Sequence, residues 1–197
     1  MILIRWGAKN MKKIAVYCGA ASGANPVYER AAKELGEWLV ANNYGLVYGG
    51  GQFGLMGAIA RAVLDNGGHV DGIIPKELDA RGATLKSVTN LEVVENMTVR
   101  KGRMMELADG FLALPGGPGT LEEISEVYSW SIIGDNKKPC VLYNINHYYD
   151  PLKTMYQQMT SQGFLTQQAH DKLLFSDSMD KIREFMENYQ PPKIREY

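Results

Sequence analysis

The stretch LPGGPGTLEE, Leu114–Glu123, places glycine amides, a hydroxyl and a carboxylate between a predicted strand and a predicted helix. Unpaired N–H groups at a helix N-terminus and the helix dipole together favour binding of an anion such as a phosphate. No lysine follows the glycines as it does in a Walker A motif, so nucleoside triphosphate hydrolysis is not indicated. The loop Pro115–Thr120 is therefore expected to hold a monophosphate.

Two roles are open for Glu123 at the end of this stretch. Thr120 and Glu123 have the spacing of a capping box, which would stabilise the helix by about 1 kcal/mol. Alternatively, Glu123 is the carboxylate of an active site built around the phosphate. Arg100 and Lys101 lie in the first turn of the preceding predicted helix, where the dipole disfavours cations, and offer a partner. A solvated basic face is the competing explanation for these cations.

A second glycine loop, GGGQFG, contains the pattern Gly49-x-Gly51-x-x-Gly54, a formal match to the dinucleotide-binding fingerprint. Asp71 lies 20 residues after Gly51, near the position of a ribose-binding acid. The loop follows the second predicted strand rather than the first, which counts against this interpretation. An NAD(P)-dependent oxidoreductase and tight packing of a strand against a helix both remain open.

Short apolar runs alternate with amphipathic helical patterns along the whole chain. Strands that are apolar throughout predict an α/β fold, a three-layer Rossmann-like doubly wound parallel sheet with helices on both faces. Ligands of such sheets bind outside the carboxyl ends of the strands, where both glycine loops fall. The predicted strands are 13–19, 45–50, 69–75, 91–96, 110–116 and 139–145, and the predicted helices are 26–43, 55–68, 97–108, 119–133, 149–162 and 179–189.

Length and composition predict one globular domain. The 197 residues are 45% apolar and 22% charged, with a net charge of -1, so neither a nucleic-acid nor a membrane partner is indicated. We expect an N-terminal extension over 1–12, a single nucleotide-binding domain over 13–190 and a tail over 191–197. Cys18 and Cys140 predict reduced core thiols in a cytoplasmic protein. The three histidines are scattered, and no metal or cofactor is predicted.

Four segments carry a resemblance to a known family: VYCGAASG, GLVYGGGQFGLMG, MTVRKGRMMELADGFLALPGGPGTLEE and WSIIGDNKKPCVLYNINHYYDPL. Over about residues 13–175 the chain resembles the LONELY GUY (LOG) family of cytokinin riboside 5′-monophosphate phosphoribohydrolases. The chain departs from the usual motifs at Thr98, where relatives carry His, and at Pro118, where an aromatic residue is frequent. The resemblance implies Arg100 and Glu123 as the catalytic pair. It implies that the 5′-phosphate is held by Gly116, Gly117, Gly119 and Thr120.

The resemblance also implies the reaction, hydrolysis of the N-glycosidic bond of a nucleoside 5′-monophosphate through an oxocarbenium-like state. We also expect Lys101 to bind the nucleotide, with further contacts from Ser22, Gly23, Gly50 and Gly51. Some of Met97, Met104 and Met105 could line a pocket for an apolar N6 substituent, although core packing is favoured. The resemblance places the helix with Tyr128 and Trp130 at a homodimer interface, with core packing as the alternative. A molybdenum-cofactor carrier of similar fold and a general AMP nucleosidase are the alternative functions.

Overall fold

The computed structural model describes residues 11–194, which form one seven-stranded parallel sheet flanked by helices. The strands are β1 Lys13–Tyr17, β2 Gly45–Tyr48, β3 Val70–Pro75, β4 Asn90–Val94, β5 Gly110–Ala113, β6 Cys140–Tyr143 and β7 Leu173–Ser176. The helices are α1 Val27–Ala41, α2 Gly54–Asp65, α3 Lys76–Ala80, α4 Met97–Leu107, α5 Pro118–Ile133, α6 Asp150–Ser161, α7 Gln167–His170 and α8 Met179–Glu187. The predicted fold class is confirmed.

The strand order is β4-β3-β2-β1-β5-β6-β7, and every neighbouring pair is parallel. The sequences KIAVY, GLVY, GFLA and CVLY are buried almost throughout because helices cover both faces. Residues of α1, α2 and α8 form the core on one face, and residues of α4 to α7 form the core on the other.

The order of the strands reverses between β1 and β5. The chain builds the sheet outward from β1 to β4 and then returns to place β5 beside β1. The connection after β1 runs to α1 on one face of the sheet and the connection after β5 runs to α5 on the other face, so a crevice opens between them at the carboxyl edge. The loops meet at its base, where Gly19 N–H donates to Pro115 O at 3.1 Å.

Several local predictions needed correction. The segment 76–90, expected to be irregular, contains α3, and β7 and α7 were not predicted. Helix α1 begins at Val27 rather than Pro26, and Asn25 Oδ1 accepts its first N–H at 3.0 Å. The predicted strands 13–19, 45–50 and 110–116 were too long because the first residues of the following glycine loops were included, and the bounds of the predicted strands 69–75, 91–96 and 139–145 were off by one or two residues.

The predicted N-terminal extension falls, apart from residues 11 and 12, outside the described residues, as do the last three residues of the predicted tail. Among the helices described, none combines the length and the apolar character that crossing a membrane requires.

Candidate active site

Helix α5 begins with an open N-terminus. Gly117 is the N-cap residue, Pro118 has no N–H to donate, and no described side chain caps the helix. Thr120 is therefore the third helical residue and cannot act as an N-cap, so the capping-box alternative for Glu123 is wrong. The N–H groups of Gly119 and Thr120 lie in the first turn, where a helix provides no acceptor.

Glu123 faces Arg100 in the interior of the crevice. Arg100 Nη1 lies 2.9 Å from Glu123 Oε1, and each of the two residues is only 7% exposed. Arg100 Nε donates to Ile73 O at 3.2 Å, and Arg100 Nη1 contacts Met97 Sδ at 3.6 Å. Glu123 Oε1 has no aligned hydrogen-bond donor among residues 11–194. The charged pair is thus held from the arginine side, and the carboxylate keeps acceptor capacity for another group.

Gly49 makes room for this arrangement. A Cβ atom built on Gly49 would lie 1.9 Å from Arg100 Nη2. The guanidinium therefore rests directly against the backbone at the end of β2. A glycine is required here by the close approach of Arg100, which is a role that the sequence pattern alone does not reveal.

Burial dominates the protonation of Glu123. Removal of the carboxyl from water raises its pKa, and the neighbouring Arg100 guanidinium lowers it. The first effect is larger, so the pKa of Glu123 lies above its ordinary value. A carboxyl group whose pKa is shifted towards neutrality is suited to exchange protons during a reaction.

A cavity of about 240 Å³ joins the open helix end to the charged pair. Its lining combines charged and polar groups with sulfur and methyl groups, which suits a ligand with a charged and an apolar part. Its lining consists of Cys18, Ala20, Met56, Met97, Arg100, Gly117, Gly119, Thr120, Glu122 and Glu123.

The glycine loop after β2 differs from the loop before α5. The N–H groups of Leu55 and Met56, in the first turn of α2, donate to Gly19 O at 3.0 and 3.4 Å. The N-terminus of α2 is therefore already occupied by a backbone carbonyl. Gly50 O accepts from Leu85 N–H, and Gly51 forms an isolated bridge with Thr84. Gly50 and Gly51, expected to bind the nucleotide, pair with this neighbouring segment and do not line the cavity.

Asp71 lies near the amino ends of the strands, away from the crevice. Its carboxylate is bound by Lys13 Nζ at 2.7 Å, Asn90 Nδ2 at 2.8 Å and His69 Nε2 at 3.0 Å. Asp71 is only 4% exposed. It cannot serve as the ribose-binding acid of a dinucleotide site. The NAD(P) alternative therefore has neither an acid for the ribose nor a free N-terminus of α2 for the pyrophosphate.

Two further predicted binding residues, Lys101 and Gly116, do not line the cavity. Lys101 Nζ pairs with Glu122 and, at 3.1 Å, with Glu126, so two carboxylates already compensate its charge. Gly116 packs against Thr120, since an added Cβ would lie 2.2 Å from Thr120 Oγ1.

Two predicted binding residues in the turn after β1, Ser22 and Gly23, also lie outside the cavity lining, to which the same turn contributes Cys18 and Ala20. Ser22 lines a separate groove of about 540 Å³ that α1 and α2 border. Gly23 has a φ of 76° and packs against the ring of Tyr28. Direct phosphate binding by Ser22 and Gly23 therefore remains a prediction.

The sequence analysis missed four residues that line the cavity, namely Cys18, Ala20, Met56 and Glu122, and two of them carry sulfur. Cys18, interpreted as a core residue, is buried but also forms part of the cavity wall. Met56 lines it as well. Their positions at the carboxyl end of β1 and in the first turn of α2 were the available signal. Of the three methionines considered, Met97 lines the cavity and Met104 is fully buried in the core.

Comparisons with known proteins show the family of the chain. The family model described as "Possible lysine decarboxylase" matches residues 56–186. Cytokinin riboside 5′-monophosphate phosphoribohydrolase LOG of Oryza sativa subsp. japonica is 42% identical over 180 residues, which cover 91% of this chain and 74% of the rice protein. The enzyme of the same description, LOG7 of Arabidopsis thaliana, is 41% identical over 91% of this chain and 83% of its own length.

Solved structures share the fold at lower identity. The molybdenum cofactor carrier protein MCP of Chlamydomonas reinhardtii matches with a TM-score of 0.70 and 15% identity, covering 91% of this chain and 100% of that chain. The molybdenum cofactor binding protein of Rippkaea orientalis matches with a TM-score of 0.68 and 18% identity, covering 91% and 98%. At these identities the similarity concerns the fold alone.

Proposed function

The chain belongs to the LOG family of cytokinin riboside 5′-monophosphate phosphoribohydrolases, and from this premise we propose that it hydrolyses purine nucleoside 5′-monophosphates. The products are the free base and ribose 5-phosphate. The C1′–N bond to the base breaks, the oxygen of water bonds to C1′, and a proton is delivered to the leaving base. The observation that carries this proposal is the buried pair of Arg100 and Glu123 beside the open terminus of α5.

The 5′-phosphate is held by the first turn of α5. Gly117, Gly119 and Thr120 line the cavity, and their amides and hydroxyl provide donors at a positive helix end. Glu123 follows one turn after Thr120 on the same helix. A phosphate seated on the helix terminus therefore brings the attached ribose towards this carboxylate.

Glu123 acts on the ribose and Arg100 acts on Glu123. As C1′ becomes cationic, the ionised carboxylate stabilises it, activates the attacking water, or does both. Burial of the pair strengthens these electrostatic effects, because no bulk water screens them. The guanidinium, fixed by Ile73 O, favours the ionised carboxylate and holds it in place.

The apolar side chains in the cavity lining support a modified purine as the preferred substrate. Met56 and Met97 supply flexible thioether side chains that adapt to an apolar N6 substituent. A general AMP nucleosidase shares the same chemistry and differs only in this preference. A base-release assay that compares isopentenyl-AMP with AMP, at matched concentrations, separates the two functions. We expect a higher kcat/KM for isopentenyl-AMP, and equal values would favour the general nucleosidase.

Two other functions receive less support from the site. A cofactor carrier of the same fold has no evident use for a buried carboxylate paired with arginine in its cavity. Mass spectrometry of the ligand retained by purified protein tests this alternative, because a pterin would indicate a carrier. Lysine decarboxylation through pyridoxal phosphate requires a lysine anchor, and no lysine is among the described residues that line the cavity.

We further propose that the protein is a homodimer and functions in the cytoplasm. Trp130 is 38% exposed and Ile133 is 48% exposed on α5, which supports a protein contact at this helix. Tyr128 is buried and donates to Ala169 O at 2.8 Å, so it belongs to the core of its own chain. Light scattering should give about twice the chain mass of 21.9 kDa. The free thiols of Cys18 and Cys140 fit a reducing compartment.

A further inference from the structure

Three successive carbonyl groups at the end of β5 accept hydrogen bonds from outside the phosphate loop. Leu114 O accepts from Tyr149 Oη at 2.7 Å, and Pro115 O accepts from Gly19 N–H at 3.1 Å. Gly116 O accepts from Tyr148 Oη at 2.6 Å. The direction of each carbonyl between the strand and α5 is thus fixed by a separate donor.

A tightly bent connection between β6 and α6 delivers both tyrosine hydroxyls. Asn146 and His147 have φ values of 53° and 58°, a left-handed conformation that costs non-glycine residues roughly 1–2 kcal/mol each. Asn144 Oδ1 accepts from Tyr149 N–H at 2.7 Å and so closes the bend. Strained backbone that persists beside a candidate site points to a positional requirement.

The hydrogen bond to Gly116 has a consequence for the amide of Gly117. The peptide group is planar and trans, so its C=O and its N–H point in opposite directions. A peptide between two glycines otherwise turns over readily, because neither residue has a Cβ that restricts it. A donor on Gly116 O therefore sets the direction of the Gly117 N–H. Gly117 lines the cavity, whereas Tyr148 does not.

We propose that Tyr148 is a positioning residue whose hydroxyl locks the Gly116–Gly117 peptide with its N–H directed at the phosphate. This inference rests on the proposed function, because it assigns a phosphate to the loop. The ring of Tyr148 also packs edge-on against Tyr28 and Tyr149, with centroids 5.7 and 5.1 Å away. The packed ring holds the hydroxyl in place, and the loop rather than Tyr148 contacts the phosphate.

The test removes the hydroxyl and keeps the ring. In Tyr148→Phe, the dissociation constant of ribose 5-phosphate, measured by calorimetry, should rise about 5- to 10-fold, the value of one hydrogen bond. The KM for the nucleotide should rise by a similar factor, while kcat changes by less than about twofold, because the loop binds ground and transition states alike. Tyr148 is 40% exposed, so the Tm should change by only about 2 °C.

Tyr28→Phe is the matched control. It removes a hydroxyl that accepts a long hydrogen bond from Asn146 Nδ2 at 3.4 Å, but it keeps the ring packed against Tyr148 and the donor to Gly116 O. It should bind ribose 5-phosphate like the wild type. Unchanged binding in Tyr148→Phe, equal weakening in both variants, or a drop in kcat and Tm together would overturn the inference.

Ribose 5-phosphate binding is measured without turnover, so the result separates the two proposals. A wild-type protein that binds ribose 5-phosphate but releases no base would reject the proposed function, and the two phenylalanine variants would still decide the role of Tyr148. A wild-type protein that does not bind ribose 5-phosphate would overturn the inference as well, because the loop would have no phosphate to hold.

Discussion

At the scale of single residues, the site depends on how Glu123 is held. The carboxylate lies one turn beyond the helix terminus, is buried, and faces Arg100 rather than the backbone of its own helix. Burial raises its pKa and Arg100 opposes this effect. The pH–activity profile should therefore have a limb that rises with pH as Glu123 ionises, with an apparent pKa above the ordinary value of a glutamate carboxyl.

Arg100→Gln should move the rising limb of the pH–activity profile further towards high pH. Loss of the guanidinium removes the main effect that lowers the pKa of Glu123, so ionisation requires a higher pH. The kcat of the residual activity, measured from about pH 4 to about pH 9, reports the shift. Lys101→Gln removes the same charge one residue away and should shift the limb less, since Glu122 and Glu126 already compensate Lys101. Equal shifts in both variants would contradict a specific pairing of Arg100 with Glu123.

Gly49→Ala should displace Arg100 without changing any charge. The added Cβ would overlap the guanidinium, so the pair would lose its alignment, and we expect kcat to fall about 100-fold, the effect of a displacement near 1 Å. Gly102→Ala is a matched control on the helix that carries Arg100, because its Cβ would meet open space. This control should keep full kcat and raise the Tm. If Gly49→Ala retains wild-type kcat, the contact between Gly49 and Arg100 has no functional role.

At the scale of elements, the two glycine loops have similar sequences and different fates. Gly19 O accepts the first amides of α2, whereas α5 has no described side-chain cap and starts with proline. The loop after β2 therefore has a structural role and packs against Arg100, whereas the loop before α5 presents N–H donors to a ligand. Composition alone predicts an anion site for both, because the atom that closes the first loop lies some 35 residues earlier in the chain.

The bend between β6 and α6 offers a prediction at this scale. In His147→Gly, the left-handed φ no longer costs energy, so the free energy of unfolding should increase by about 1 kcal/mol. The contact between His147 and Asp150 that is lost is highly exposed and contributes little. Urea denaturation measures the change. A lower stability would show that the imidazole stabilises the bend by more than the strain costs.

Local pattern predicted much of the fold, and long-range contacts account for what was missed. Uniformly apolar strands and helical periodicity were enough to predict the α/β class. The positions of Arg100 and Glu123 after the carboxyl ends of their strands were enough to predict that both lie at the same edge of the sheet. Tyr148 was not predicted, because its hydroxyl reaches Gly116 across 32 residues and nothing in the spacing indicates this. Strand β7 was not predicted, and the short helices α3 and α7 also escaped the analysis.

At the scale of the whole molecule, the two edges of the sheet have different tasks. The carboxyl edge holds the crevice, with open donors and a carboxylate free to accept. At the amino edge, Asp71 pairs with Lys13, His69 and Asn90 and so links the starts of β1, β3 and β4. We expect the first edge to carry activity and the second to carry stability.

Asp71→Asn tests this division. Burial tends to raise the pKa of Asp71, but Lys13, Asn90 and His69 lower it more, so the folded pKa lies below the ordinary value. The stabilisation is therefore present above about pH 4 and lost as the pH falls through the folded pKa. The variant should be less stable at pH 7 by about 2 kcal/mol, below the usual effect of a broken buried pair because Lys13 is partly exposed.

Urea denaturation at pH 7 and in acid measures the difference between Asp71→Asn and the wild type. The difference should shrink as the pH is lowered, while kcat at pH 7 stays near the wild-type value. A variant with normal stability and impaired turnover would contradict the assignment of the amino edge to stability.

The most direct test of the central claim is base release from isopentenyl-AMP by Glu123→Gln, with ribose 5-phosphate affinity measured on the same protein. If Glu123 acts on the ribose while the terminus of α5 holds the phosphate, kcat should fall by about 10²- to 10⁴-fold, the usual contribution of acid–base catalysis. The dissociation constant of ribose 5-phosphate should stay within about threefold of the wild type, because the phosphate contacts are intact. Wild-type turnover in Glu123→Gln would contradict the account.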